Sequence, residues 1–209
     1  LPYRCDGDGA QPRWRVSGAV GAVSTDIVFG GGDADTVEVE QVTVGASAGW
    51  FPTWKWGVTV SAGALVAGTV EGRALGPGGQ LAVGASYLAR RERKRRPWPF
   101  VLVTGSFAGV VARGEADDGD ATYGATDLRV GVAAGRSVAK GKLTGYVAAR
   151  AFGGPVFWRR GGERVVGGDR YHVTAGVGVT VRVPGAMDLG VEVLPLGEQS
   201  VTASVTVHR

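Results

Sequence analysis

The stretch YHVTAGVGVTVRV at residues 171–183 exchanges apolar residues with polar or very small ones at nearly every step. Tyr171, Val173, Ala175, Val177, Val179, Val181 and Val183 fall on one face of an extended chain, and His172, Thr174, Gly176, Gly178, Thr180 and Arg182 on the other. A period of two predicts a pleated strand whose faces meet unlike surroundings. Similar runs recur through the chain. About ten segments read as strands, centred on residues 16–28, 39–50, 54–70, 80–90, 100–112, 122–134, 143–152, 171–183, 189–194 and 201–207. None carries a helical stripe.

What covers the apolar face decides the fold. In the third segment Trp54, Trp56, Val58, Val60, Ala62, Ala64 and Val66 oppose Lys55, Gly57, Thr59, Ser61 and Gly63; in the last, Val201, Ala203, Val205 and Val207 oppose Ser200, Thr202, Ser204 and Thr206. A soluble sandwich or lipocalin-type barrel would turn the apolar face inward and fill it with large side chains at native density. Here that face is mostly Val and Ala, and 37 of the 209 residues are glycine, well over the usual share of about 7%. Lipid requires no such interlocking fit, so an apolar face turned outward and a polar or bare face turned inward suits the sequence better. Several segments also reach the ~9–11 residues that cross a bilayer at a tilt, whereas no apolar run approaches the ~20 a membrane helix needs. The predicted fold is all-β, a closed antiparallel up-and-down transmembrane barrel of about ten strands, with eight as the alternative count and a soluble Gly/Val-rich barrel or sandwich as the rival fold.

The connections alternate in kind. Phe51-Pro52-Thr53 and the segments 92–97, 137–141 and 184–186 are short; those at 30–36, 71–79, 115–121 and 160–170 are longer and rich in glycine. Trp14, Trp50, Trp54, Trp56 and Trp98 all lie beside the short turns, as an interfacial girdle would. Residues 1–12 are polar and aperiodic and read as a flexible tail, leaving 13–209 as a single barrel domain. The start at Leu1-Pro2, with no initiator Met, leads to the expectation of a mature product whose signal peptide has been removed. The single cysteine, Cys5, lies in the tail and reads as an unpaired thiol, with an intermolecular disulfide or lipid attachment as alternatives.

From about Trp14 onward this pattern resembles the small bacterial outer-membrane β-barrels, the group of the outer-membrane protein A and X types and the ten-stranded adhesin and protease barrels. The resemblance implies residence in the bacterial outer membrane, contact with the lipid bilayer and lipopolysaccharide, and short turns on the periplasmic side.

Strand parity points Arg15, Arg90, Asp127, Arg129, Arg150, Arg182 and Glu192 into the lumen. Charges there must be paired or hydrated, so they read either as an internal salt-bridge network or as the constriction of a narrow pore. The inward glycines Gly45, Gly49, Gly57, Gly63 and Gly84 are expected to leave a partly water-filled cavity. Arg91, Arg93, Lys94, Arg95 and Arg96 form a basic turn between strands, whose cations suit anionic headgroups or a periplasmic or other envelope protein partner better than nucleic acid. The acidic run Glu115-Ala116-Asp117-Asp118-Gly119-Asp120 fits no calcium-loop spacing and reads as a solvated outer loop. No metal site and no cofactor is expected. His172, expected to point inward near Asp169, is the best candidate for a base, yet no serine motif or second carboxylate pair can be set beside it. The expected function is a non-catalytic membrane-embedded scaffold or envelope-complex subunit, with a narrow pore for small solutes as the alternative and a barrel hydrolase or protease using His172 third.

Overall fold

The computed structural model of the chain describes residues 14–30, 35–92, 98–116, 119–160 and 163–209. The predicted tail, Cys5 and residues 93–96 of the basic turn lie outside the described residues. The strands are β1 (Trp14–Phe29), β2 (Asp35–Trp50), β3 (Trp56–Val70), β4 (Arg73–Arg90), β5 (Phe100–Ala116), β6 (Gly119–Val138), β7 (Leu143–Gly153), β8 (Pro155–Arg160), β9 (Glu163–Asp169), β10 (Val173–Val183), β11 (Met187–Leu196) and β12 (Gln199–His208). Ten of them, β1–β7 and β10–β12, close into an antiparallel ring by pairing of β12 with β1 from Arg15↔His208 to Ser24↔Gln199. The all-β closed barrel read from the alternation is the observed fold.

Strand length divides the barrel into two sections. β7, β10, β11 and β12 run 10–11 residues, a bilayer crossing. β1–β6 run 15–20 and continue beyond the ends of the short staves. There the β8–β9 hairpin takes over the pairing: β8 bonds β6 from Tyr123↔Trp158 to Ala125↔Val156, and β9 bonds β1 from Ile27↔Asp169 to Phe29↔Gly167. The ring of ten staves therefore becomes a ring of eight, made of β1–β6, β8 and β9. Gly154 sits at the change of partner, where an added Cβ would lie 1.9 Å from the Thr126 carbonyl oxygen; only glycine lets the chain pass that close.

The apolar face changes sides at the same level. Along β2 the outward Trp50, Ala48, Ala46, Val44 and Val42 are exposed, and beyond Gln41 the apolar residues Val39 and Val37 point inward, 1% and 3% exposed, while Glu40, Glu38 and Thr36 face out. β1 makes the same exchange between outward Val20 and Ala22 and inward Ile27 and Phe29. An outward apolar face suits lipid and an inward one suits water, so along β1 and β2 this exchange marks where the bilayer ends, whereas at β5, β8 and β9 the outward Val111, Phe157 and Val166 stay apolar and exposed. The eight-stave section has the core of a soluble barrel: Ile27, Phe29, Val37, Val39, Leu65, Val70, Leu75, Ala112, Ala121, Tyr123, Val156 and Trp158 form one buried cluster, with Phe29 and Trp158 in edge contact at 6.2 Å.

Candidate functional site

The lumen of the ten-stave section is filled in layers. Nearest the short turns, Phe51 folds back under the barrel; an added Cβ would lie 2.2 Å from its ring at Gly57 and 3.0 Å at Gly49. The guanidinium of Arg15, buried, stacks on the same ring at 4.1 Å. The bareness expected at Gly49 and Gly57 is thus occupied by an aromatic ring, and Gly63 by the side chain of Gln80. Beside them Leu88, Phe100 and Leu102 form a second apolar cluster, against which Ala133 and Tyr146 pack.

Ion pairs occupy the remaining layers. At the short-turn end Arg182 binds Asp188 through Nε at 2.8 Å and Nη2 at 3.0 Å, and His208 Nε2 lies 2.6 Å from the same carboxylate. In mid-barrel Arg150 donates to both oxygens of Glu192 at 2.6 and 2.8 Å, and the Tyr146 hydroxyl donates to Glu192 at 3.1 Å. At the level where ten staves become eight, Arg129 donates to both oxygens of Glu198 at 2.6 Å and bonds Asp127 as well. Arg182 and Arg129 meet Asp188 and Glu198 fork to fork, the arrangement in which buried charge is best tolerated, whereas Arg150 reaches both oxygens of Glu192 through Nη2 alone.

Two cavities lined by described residues lie between these layers. One, of about 160 Å³, is bounded by Tyr146, Arg150 and Glu192. The other, of about 300 Å³, lies under the apolar plug and is lined by Gln41, Thr43, Gln80, Asp127, Arg129 and Asp169 among others. Asp169, on the β8–β9 hairpin beyond the bilayer section, has its carboxyl pushed up to about 6 by burial, with Asp127 and Glu198 adding repulsion.

Of the residues expected to share the lumen, Asp127 and Arg129 touch, Arg150 and Glu192 touch, and Arg15 and Arg182 stand in the lower layers. Arg90 points outward. The β4–β5 register shifts between Leu88 and Arg90, a bulge that reverses parity, and the exposed Arg90 lies over the Trp98 ring at 4.1 Å. His172 is exposed too, because β10 begins only at Val173. Asp188, Glu198 and His208 also belong to the network; Asp188 shares the face of Glu192 and His208 that of Thr206, so parity places both, whereas Glu198 lies in a turn. Trp14, Trp50, Trp54, Trp56 and Trp98 are all exposed at the short-turn rim, 44–57%, with Trp14 and Trp50 paired at 6.5 Å and Trp56 on Tyr87 at 4.7 Å. Arg91 is exposed beside them. Among the described residues no group of His, Cys, Asp and Glu is arranged to hold a metal.

A closed ring of ten antiparallel staves with an apolar outer band is, in fold, a bacterial outer-membrane β-barrel. Among solved structures the chain is similar to the outer membrane protease OmpT from Escherichia coli, at 8% identity over 94% of this chain and 96% of that one, with a TM-score of 0.59. It is also similar to the translocator domain of the autotransporter NalP from Neisseria meningitidis (12% identity, 98% and 90% covered, TM-score 0.48) and to the outer membrane protein Omp33 from Acinetobacter baumannii (10%, 95% and 98%, 0.39). At these identities the likeness concerns the fold. No family model matches the sequence, and no curated protein matches it at a significant level.

Proposed function

We propose that this chain is a non-catalytic scaffold or envelope-complex subunit of the bacterial outer membrane, holding the eight-stave section outside the cell and a basic, tryptophan-rich rim toward the periplasm. The observation that carries this reading is the filled lumen: an aromatic and apolar layer, ion pairs at three levels and an apolar plug occupy its length. A conducting barrel needs a continuous hydrated path, and paired charges packed against apolar layers oppose one.

The lipid-facing rim, with Lys55 over Trp54 at 4.9 Å and Arg90 over Trp98, suits anionic headgroups, and the basic turn at Arg91, Arg93, Lys94, Arg95 and Arg96 suits an acidic surface of an envelope partner. The purified protein in a planar bilayer tests the role: a silent membrane together with an envelope protein that copurifies and is lost on Arg91→Glu/Arg93→Glu supports the scaffold. Regular conductance steps would replace it with the narrow pore, for which the two lumenal cavities are the starting path.

A further inference from the structure

The β8–β9 hairpin is placed differently from every other part of the wall. It belongs to no bilayer-crossing stave, and its ladder to the rest of the barrel is short: three residue pairs with β6 and three with β1, extended by backbone bonds from Gly30 to Val166 and from Arg170 to Asp26. Its inward side chains Val156 and Trp158 complete the apolar plug, and the same strands line the roof of the 300 Å³ cavity at Val156 and Asp169. Without the hairpin the ring of eight staves is an open sheet of six. Among the described residues, this element completes the closure of the outer end of the lumen.

What lies under it is charged and unbalanced. Facing Asp169 are Asp127 and Arg129 from β6 and Glu198 from the β11–β12 turn, with Tyr123 of β6 beside it, Arg150 of β7 across the same cavity and the exposed His172, just before β10, at the outer edge; also on the outer side Arg170 bonds Asp26 at 3.5 Å. Arg129 already binds both Asp127 and Glu198, so three carboxylates converge on one guanidinium. Docking the hairpin carries Asp169 into that group and partly out of water.

We propose that the β8–β9 hairpin is a strap over the outer mouth of the lumen, held down when Asp169 is protonated and loosened when all three carboxylates are charged. The sign follows from linkage. A carboxyl raised to about 6 when docked and ordinary, near 3.8, when undocked favours docking fully below the lower value and loses that contribution as pH rises through the higher one. The docked state binds the extra proton. Between pH 5.0 and 7.5 those two values make opening about tenfold more frequent. This goes beyond the scaffold reading and is independent of it, because it concerns exposure of the plug and not passage of solute.

The test is the labelling rate of a cysteine buried in the plug, Ala112→Cys, with a membrane-impermeant maleimide, in full-length protein in lipid nanodiscs and in a Cys5→Ser background. Dividing by the rate of the exposed Thr122→Cys at each pH removes the ionisation of the thiol itself. The expected ratio rises about tenfold from pH 5.0 to 7.5, becomes independent of pH in Asp169→Asn, and shows a smaller step in Asp127→Asn, which removes one repelling charge and serves if Asp169→Asn fails to insert. A ratio constant within twofold in the parent chain, or an undiminished rise in Asp169→Asn, overturns the proposal.

Discussion

Replacing Arg129 with methionine removes the guanidinium that binds Asp127 and both oxygens of Glu198 while keeping most of the side-chain volume. Stripping the partner from a dry buried carboxylate costs about 3–5 kcal/mol. Glu198 is that deeply placed, its side chain 4% exposed, but Arg129 is 29% exposed and the adjacent cavity admits water, so screening brings the expected loss to about 2–3 kcal/mol at pH 7.5. Urea unfolding in lipid vesicles, followed by tryptophan fluorescence and by the gel shift between folded and heat-unfolded chain, reads the difference. Arg129→Met/Glu198→Gln, which removes the stranded charge as well, is expected to recover at least half of it. A loss under about 0.5 kcal/mol at pH 7.5, or a double variant no more stable than the single one, refutes the account of the lumen as a coupled ionic packing.

The plug and the outer wall make separate demands. Trp158→Ala deletes the largest side chain of the eight-stave core, and a loss of about 3–5 kcal/mol is expected in the outer section, read as faster exchange of amides in β8, β9 and the ends of β1 and β6 while β10–β12 stay protected. Val60→Arg places a charge on the outward face, where Val60 is 55% exposed to lipid, and is expected to cost about 2–4 kcal/mol in bilayer refolding; an equal variant at outward Thr122 of the eight-stave section is expected to cost less than about 0.5 kcal/mol. Gly154→Val forces a side chain against the Thr126 carbonyl, so the hairpin is expected to lose its pairing with β6 and Trp158 to become quenchable by iodide, with the ten-stave section still resistant to heat in gels.

How far the sequence discloses this molecule depends on which physical demand acts at each residue. Lipid outside and packed polar groups inside impose opposite requirements on neighbouring positions, so the staves, the outward Val/Ala face and the tryptophan rim are all legible as alternation. The change from ten staves to eight is written there as well, in a form easily passed over: along TVEVEQVTV, residues 36–44, the apolar positions switch from odd to even numbers at Gln41, the trace of a strand leaving lipid for water. The β8–β9 hairpin is short and broken by Gly161 and Gly162, which gives it the composition of a loop. Its strand character comes from edges of β1 and β6 that are remote in sequence. Arg90 and His172 are exposed for local reasons: a bulge inserts one residue before Arg90, and a strand begins one residue after His172. Neither event changes composition, so parity counted along the chain cannot register it.

Paramagnetic accessibility scanned residue by residue along β2 tests the central claim most directly. Spin labels at Val42, Val44, Ala46 and Ala48 are predicted to be accessible to oxygen and shielded from a water-soluble nickel chelate, labels at Thr36, Glu38 and Glu40 to be accessible to the chelate, and labels at Val37 and Val39 to be shielded from both. Chelate access along the whole outward face, or oxygen access on the inward positions instead, would contradict a barrel that stands in lipid for ten staves and in water for eight.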